Sequence, residues 1–108
     1  MKYRSTRGGA QGLSFVDSLL MGLAPDGGLL VPESIPDVRS QLEDWRELDF
    51  VQLAQSVIGL FVDDIPTPVL NKLIQEAYAD FAHADVVGQV KLDDVLVLEL
   101  FHGPTLAF

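Results

Sequence analysis

Between Asp49 and Phe81 the chain carries one apolar stripe twice. Phe50, Leu53, Ala54, Val57, Ile58 and Phe61 fall at i, i+3, i+4, i+7, i+8 and i+11. Leu70, Leu73, Ile74, Ala77, Tyr78 and Phe81 repeat that spacing. A period near 3.6 puts each set on one face of a helix. Asp49-x-x-Gln52 supplies a capping pattern at the start of the first helix. Thr67 is placed to cap the second, with Pro68 at its first position, where a missing N–H costs little. The link Asp63-Asp64-Ile65-Pro66 is short, so two helices with matching faces are expected to pack antiparallel. Val57 and Leu73 sit within the stripes and are expected in the core.

The flanking segments are shorter. Tyr3-Arg4-Ser5-Thr6 alternates as a short edge strand, broken by Gly8-Gly9. Ser14-Phe15-Val16-Asp17 reads as a capping box. Phe15, Val16, Leu19, Leu20 and Leu23 then follow helical spacing until Gly22 and Pro25. Asp26-Gly27-Gly28 is a turn, and Leu29-Leu30-Val31 a short buried strand ended by Pro32. Ser40-x-x-Glu43 is a second capping box, opening a short helix through Arg46. Beyond Gly88, Val90-Lys91-Leu92 and the run from Val95 to Phe101 flank Asp93-Asp94 as a possible hairpin, with Val95-Leu96-Val97-Leu98 read as buried. The fold class is α+β: three or four helices packed on a few short strands.

Composition narrows the function. Of 108 residues, 48% are hydrophobic, which suits one folded domain rather than a disordered chain. No apolar run reaches the roughly 18 residues of a membrane span, and without cysteine there is no disulfide or thiolate site. The formal net charge is −9. Lys2, Arg4 and Arg7 supply three of the seven basic residues, so the remainder carries four bases against sixteen acids. That balance argues against nucleic acid or an anionic membrane as partner. A cytoplasmic location is the expectation. The basic start is either a solvated end or a contact for an anion or phosphate.

Most polar clusters read as structure. Asp63-Asp64 and Asp93-Asp94 lack the spaced oxygens and turn glycine of a calcium loop and read as solvated loops. His83 lies past the second long helix without a second His beside it in sequence, so no metal site is expected. Gly8-Gly9 and Gly27-Gly28 lack the Lys-Ser/Thr that follows a phosphate loop. The segment Glu99-Leu100-Phe101-His102-Gly103-Pro104-Thr105-Leu106-Ala107-Phe108 is the chemically suggestive one. There an apolar strand delivers the chain to a Gly-Pro turn with one hydroxyl, at Thr105. From the residues alone, this is either a strand-ending turn or the edge of a ligand site.

That segment closely resembles the stretch of threonine synthase that immediately precedes the lysine holding pyridoxal phosphate (PLP). Tyr3-Arg4-Ser5-Thr6-Arg7-Gly8, the run from Gly22 to Pro32, Ile35-Pro36, Leu48-Asp49-Phe50 and Ile65-Pro66 are similar to the opening of the longer fungal- and bacterial-type members. The resemblance covers essentially the whole chain in order. It implies the small N-terminal domain of a PLP enzyme of fold type II, the tryptophan-synthase-beta-like fold. Residues 1–94 would be that domain, and 95–108 the strand and turn leading to the PLP lysine, expected immediately after Phe108. The implied reaction converts O-phospho-L-homoserine and water to L-threonine and phosphate, with PLP as the electron sink. The implied pocket residues are His102, Gly103, Pro104, Thr105 and Phe108, with Thr105 best placed to touch cofactor or substrate. No catalytic residue and no bound PLP are expected in these 108 residues alone. The implied partner is the remainder of the same enzyme, its catalytic domains. Self-association through 95–108 is a further expectation when those domains are absent. A threonine-synthase-like phospholyase, releasing a 2-oxo acid, is the alternative within the family. A stand-alone acidic interaction module is the alternative outside it.

Overall fold

The computed structural model describes residues 1–105. Its element order is β1 (Tyr3–Ser5), α1 (Phe15–Met21), β2 (Leu30–Pro32), α2 (Leu42–Trp45), α3 (Phe50–Gly59), α4 (Thr67–Tyr78), β3 (Gly88–Leu92) and β4 (Val95–Glu99). The fold is α+β, as the sequence implied. The strands form two separate antiparallel ribbons, β1–β2 and β3–β4.

The paired stripes make the core. Val62, Leu70 and Ile74 are buried at its centre, packed by Phe15, Val51, Ala54, Ile58, Ile65 and Tyr78. Phe50 at the start of α3 meets Tyr78 at the end of α4 edge-on, with ring centroids 5.0 Å apart. Gln55 Nε2 donates to the Asn71 carbonyl near the middle of both helices (3.2 Å). The two helices are therefore antiparallel. Asp49 accepts from the Gln52 N–H (2.8 Å) while Gln52 Oε1 accepts from the Asp49 N–H (3.1 Å), closing the expected capping box.

The outer parts of the stripes differ from expectation. Leu73 is 50% exposed and Val57 36%, because two helices cover only the inner strip of each other's apolar face. In α1, Ser18 is the buried residue, its hydroxyl donating to the Ser14 carbonyl (2.8 Å). The small serine side lies inward, and Leu20 is left 82% exposed. Likewise Leu29 is exposed and β2 only half-buried. Neither Ser40 nor Thr67 forms a side-chain cap: the N-cap of α2 is Gln41, one residue later than expected, and that of α4 is Pro66, one residue earlier.

Tertiary contacts tie the N-terminus to this core. Tyr3 packs on Phe15, and its hydroxyl donates to the Phe61 carbonyl (2.9 Å). Ser14 caps α1 by accepting from the Asp17 N–H (3.1 Å), although Asp17 answers the Ser14 hydroxyl rather than its backbone N–H. The Val16 N–H goes to Asp64 Oδ2 (2.9 Å), and the N-terminal ammonium pairs with Asp63. Asp63-Asp64 is an exposed loop, as expected from sequence, and it also ties down the first 16 residues.

The β3–β4 hairpin stands apart. Its two-residue turn is Asp93-Asp94, with Asp93 in the left-handed region (φ 50°), a conformation that Asp tolerates better than most residues. Leu92, Val95, Leu96, Leu98, Leu100 and Phe101 are all exposed. Among the described residues, the run read as a buried strand has a partner on one edge and its side chains are largely exposed. The Cα radius of gyration, 16.3 Å, accordingly exceeds the roughly 13 Å of a compact domain this long.

Candidate functional site

The strand β4 ends at Glu99, and the chain then folds back so that the His102 carbonyl accepts the Ala82 N–H (2.9 Å). This places His102 Nε2 2.9 Å from Glu99 Oε2, with both side chains mostly shielded. A carboxylate oxygen accepts, so in this contact the tautomer with its proton on Nε2 is the one that donates to Glu99. The His83 ring lies against His102 at 4.9 Å between centroids, and the Phe101 ring is 4.8 Å from His102.

Glycine makes this approach possible. A Cβ on Gly88 would lie 2.8 Å from Glu99 Oε2, 3.0 Å from His102 Nε2 and 3.2 Å from the His83 ring. The preceding turn is strained. Val86 is buried with φ 64°, a genuine outlier for a β-branched residue. It is held there by its N–H bond to the His83 carbonyl (2.9 Å).

Of the sequence-derived candidates, His102 joins this cluster; Gly103 follows it in the chain and is buried, and Pro104 and Thr105 are exposed. Phe108 lies outside the described residues. The sequence reading missed Glu99, Gly88 and His83 as members. The only local signal was Glu99-x-x-His102, and the second histidine beside His83 is far along the chain. PLP requires an amine for its aldehyde and donors for its phosphate. The cluster offers no amine, and Lys91 is exposed on β3, so the described residues do not by themselves form a site for that group.

A second constellation is built on β1 and the turn before β2. The Asp26 carboxylate accepts from the Ser5 hydroxyl (2.8 Å), the Gly9 N–H (2.7 Å) and the Gly28 N–H (2.9 Å). The Arg7 guanidinium donates to the Asp26 carbonyl (3.0 Å). The Gly28 N–H, then the Ser5 hydroxyl, hold the Asp26 carboxyl below its ordinary value. Asp64 is depressed too, chiefly by the Val16 N–H. A depressed carboxylate contributes stability that is present above its unfolded pKa and lost as pH falls through the folded one. Stability is therefore expected to drop on acidification below about pH 4, and Asp26→Asn should flatten that fall in part, Asp64 supplying the rest. Urea melts across this range check it: parallel profiles for wild type and Asp26→Asn would exclude the linkage.

Comparison with known proteins fits both ends into one family. The family model described as "Threonine synthase N terminus" matches residues 2–78. Threonine synthase of Pseudomonas aeruginosa is 46% identical over 100% of this chain, and Threonine synthase-like 2 of Xenopus laevis 43% over the same extent. The chain covers 24% of each of those proteins. The crystal structure of PLP-bound threonine synthase from Brucella melitensis superposes with a TM-score of 0.88 at 44% identity, covering 100% of this chain and 24% of that one. With its helical body matched by the family model and its whole length aligned to these proteins, the chain belongs to the threonine synthase N-terminal family.

Proposed function

We propose that this chain is the N-terminal part of a PLP-dependent enzyme that converts O-phospho-L-homoserine and water to L-threonine and phosphate. The observation that carries this beyond family membership is the uncovered surface. The chain exposes 7883 Å², against the roughly 5,900 Å² expected of a folded monomer of its mass. Much of the apolar excess lies on the hairpin and just after it. Catalytic domains of the same enzyme are the natural cover for that face. In this reading residues 1–94 are the body that leans on those domains. Residues 95–108 deliver the chain to their PLP lysine, and His102, Gly103, Pro104, Thr105 and Phe108 shape its approach. The Thr105 hydroxyl reaches cofactor or substrate, and the Glu99–His102 pair fixes the turn before it.

The test compares two proteins. An enzyme containing this chain and its catalytic domains is expected to release phosphate and threonine from O-phospho-L-homoserine. The 108 residues alone are expected to be inactive and to give no stoichiometric borohydride-trapped adduct with PLP, because Lys2, Lys72 and Lys91 are the only lysines. A single lysine trapped in full yield would refute the second part. A second product is specifically worth assaying. Relatives called Threonine synthase-like 2 are about as similar as those called Threonine synthase, so a 2-oxo acid in place of threonine would identify a phospholyase.

The same bare hairpin leads us to propose that the chain alone self-associates through 95–108. Among the described residues β4 keeps one unpaired edge and carries few charges, which favours strand addition by a second copy. Light scattering should show a dimer or larger species at about 100 µM, and deletion of 95–108 a monomer. A monomeric full chain at that concentration would sink the idea.

A further inference from the structure

The β1–β2 ribbon has a buried face and an open one. Tyr3 and Ser5 are buried, so strand alternation turns Arg4 outward, opposite Val31 of β2. The next outward position is Thr6. The chain then turns through Arg7 and Gly8, where Gly8 has φ 85° and its N–H bonds the Ser5 carbonyl (3.1 Å). Together with Gln11, these residues bound an open cavity of about 500 Å³. Its lining residues include two arginines, a threonine and a glutamine.

The charge pattern makes this cavity unusual in so acidic a chain. Arg39, Arg46 and Lys72 each pair with a neighbouring carboxylate. Arg4 and Arg7 form no ion pair among the described residues. Asp26, the acid that Arg7 touches, has its carboxylate occupied by Ser5, Gly9 and Gly28, and offers Arg7 only its carbonyl. That bond also seats Arg7 against Gly27, where a Cβ would lie 3.0 Å from Nη1. One arginine is thus held in place and the other projects from a paired strand, and both residues line the same cavity. Thr6 Oγ1 accepts the Leu29 N–H (3.0 Å), which leaves its own O–H available as a donor.

We propose that this cavity binds a phosphate group, either as inorganic phosphate or as the terminal group of a small phosphomonoester. Guanidinium forks bind tetrahedral oxyanions through paired hydrogen bonds. Two forks, a hydroxyl and an amide provide more donors than the two oxygens of a carboxylate can use. The volume falls within the range of small-molecule sites and exceeds what a bare phosphate fills, which admits an ester. The site is on the β1–β2 ribbon and does not rest on the catalytic reading above.

The test is an amide NMR titration of the 108-residue chain at constant ionic strength. Inorganic phosphate and O-phosphoserine are the probes, and chloride is the control. Saturable shifts are expected at residues 4–8 and 11 and at the arginine Nε–H groups. Equal affinity for the two probes would mean that the site reads the phosphate alone; tighter O-phosphoserine would mean that it also holds the ester. Arg4→Gln should weaken binding about tenfold, the factor one charge-assisted hydrogen bond carries, and Arg4→Lys should restore part of it. Gln11→Ala, in the loop, should weaken binding severalfold without touching the strand. Shifts that grow linearly and are matched by chloride would overturn the proposal. So would saturable binding unchanged in a folded Arg4→Gln variant.

Discussion

Replacing Ile74 with Ala is expected to lower the stability of the chain by roughly 2–5 kcal/mol. Ile74 is only 6% exposed and sits with Leu70 and Val62 at the one place where α3, α4 and the link meet. The loss has two parts, the transfer of the deleted methyl groups and the cavity left behind. Leu73→Ala, one residue away, is expected to cost less than about 1 kcal/mol, since half of that side chain is already in water. For a domain whose total stability is of the order of 5–15 kcal/mol, the first substitution is a large fraction and the second a minor one. Urea denaturation of both variants decides it. Equal losses would mean that both leucine-rich edges of α4 are covered in solution, and that the core is wider than the α3–α4 seam.

Gly28→Ala is expected to be about as damaging, for a different reason. A Cβ at that position would lie 2.2 Å from Ser5 Oγ and 3.1 Å from the Arg7 backbone nitrogen. The backbone nitrogen lies in the turn after β1, where its N–H donates to the same Ser5 hydroxyl (3.1 Å). The serine hydroxyl can rotate only by giving up Asp26, which would leave a residue 3% exposed with an unsatisfied polar group. Overpacking and the lost hydrogen bonds together suggest about 3 kcal/mol. The spectroscopic signature should be local: amides of residues 4–9 and 26–30 shift while those of α3 and α4 stay put. Gly28→Ala with unchanged stability would mean that β1 and the glycine turn are not locked together as described.

The two predictions probe different levels of legibility. The α3–α4 pair was readable because a helix buries one face, and the period of its apolar residues records that face directly. The Asp49–Gln52 cap was readable because it is closed within four residues. Ser40 and Glu43 match the same pattern, yet α2 forms no such cap; a cap motif is satisfied only when the helix starts at the right residue. The stripe of α1 was a true helical signal that misidentified the buried side. Periodicity shows which residues share a face, not whether anything covers that face.

The candidate site divides the same way. His102, Gly103, Pro104 and Thr105 stood out as a contiguous motif, and the family resemblance rested on contiguous residues too. Glu99, His83 and Gly88 joined His102 only through the return of the chain after β4 and the turn at Val86. Asp26 was read as a turn residue, but its partners Ser5 and Gly9 lie a full element away. So the sequence by itself determined the helical seam, the turns and the family, because each is written in local spacing or in consecutive residues. The tertiary structure alone decided which apolar faces are left bare, which carboxylates are occupied and which arginines remain unpaired. Those properties depend on distances between segments far apart in the chain, and no local pattern encodes them.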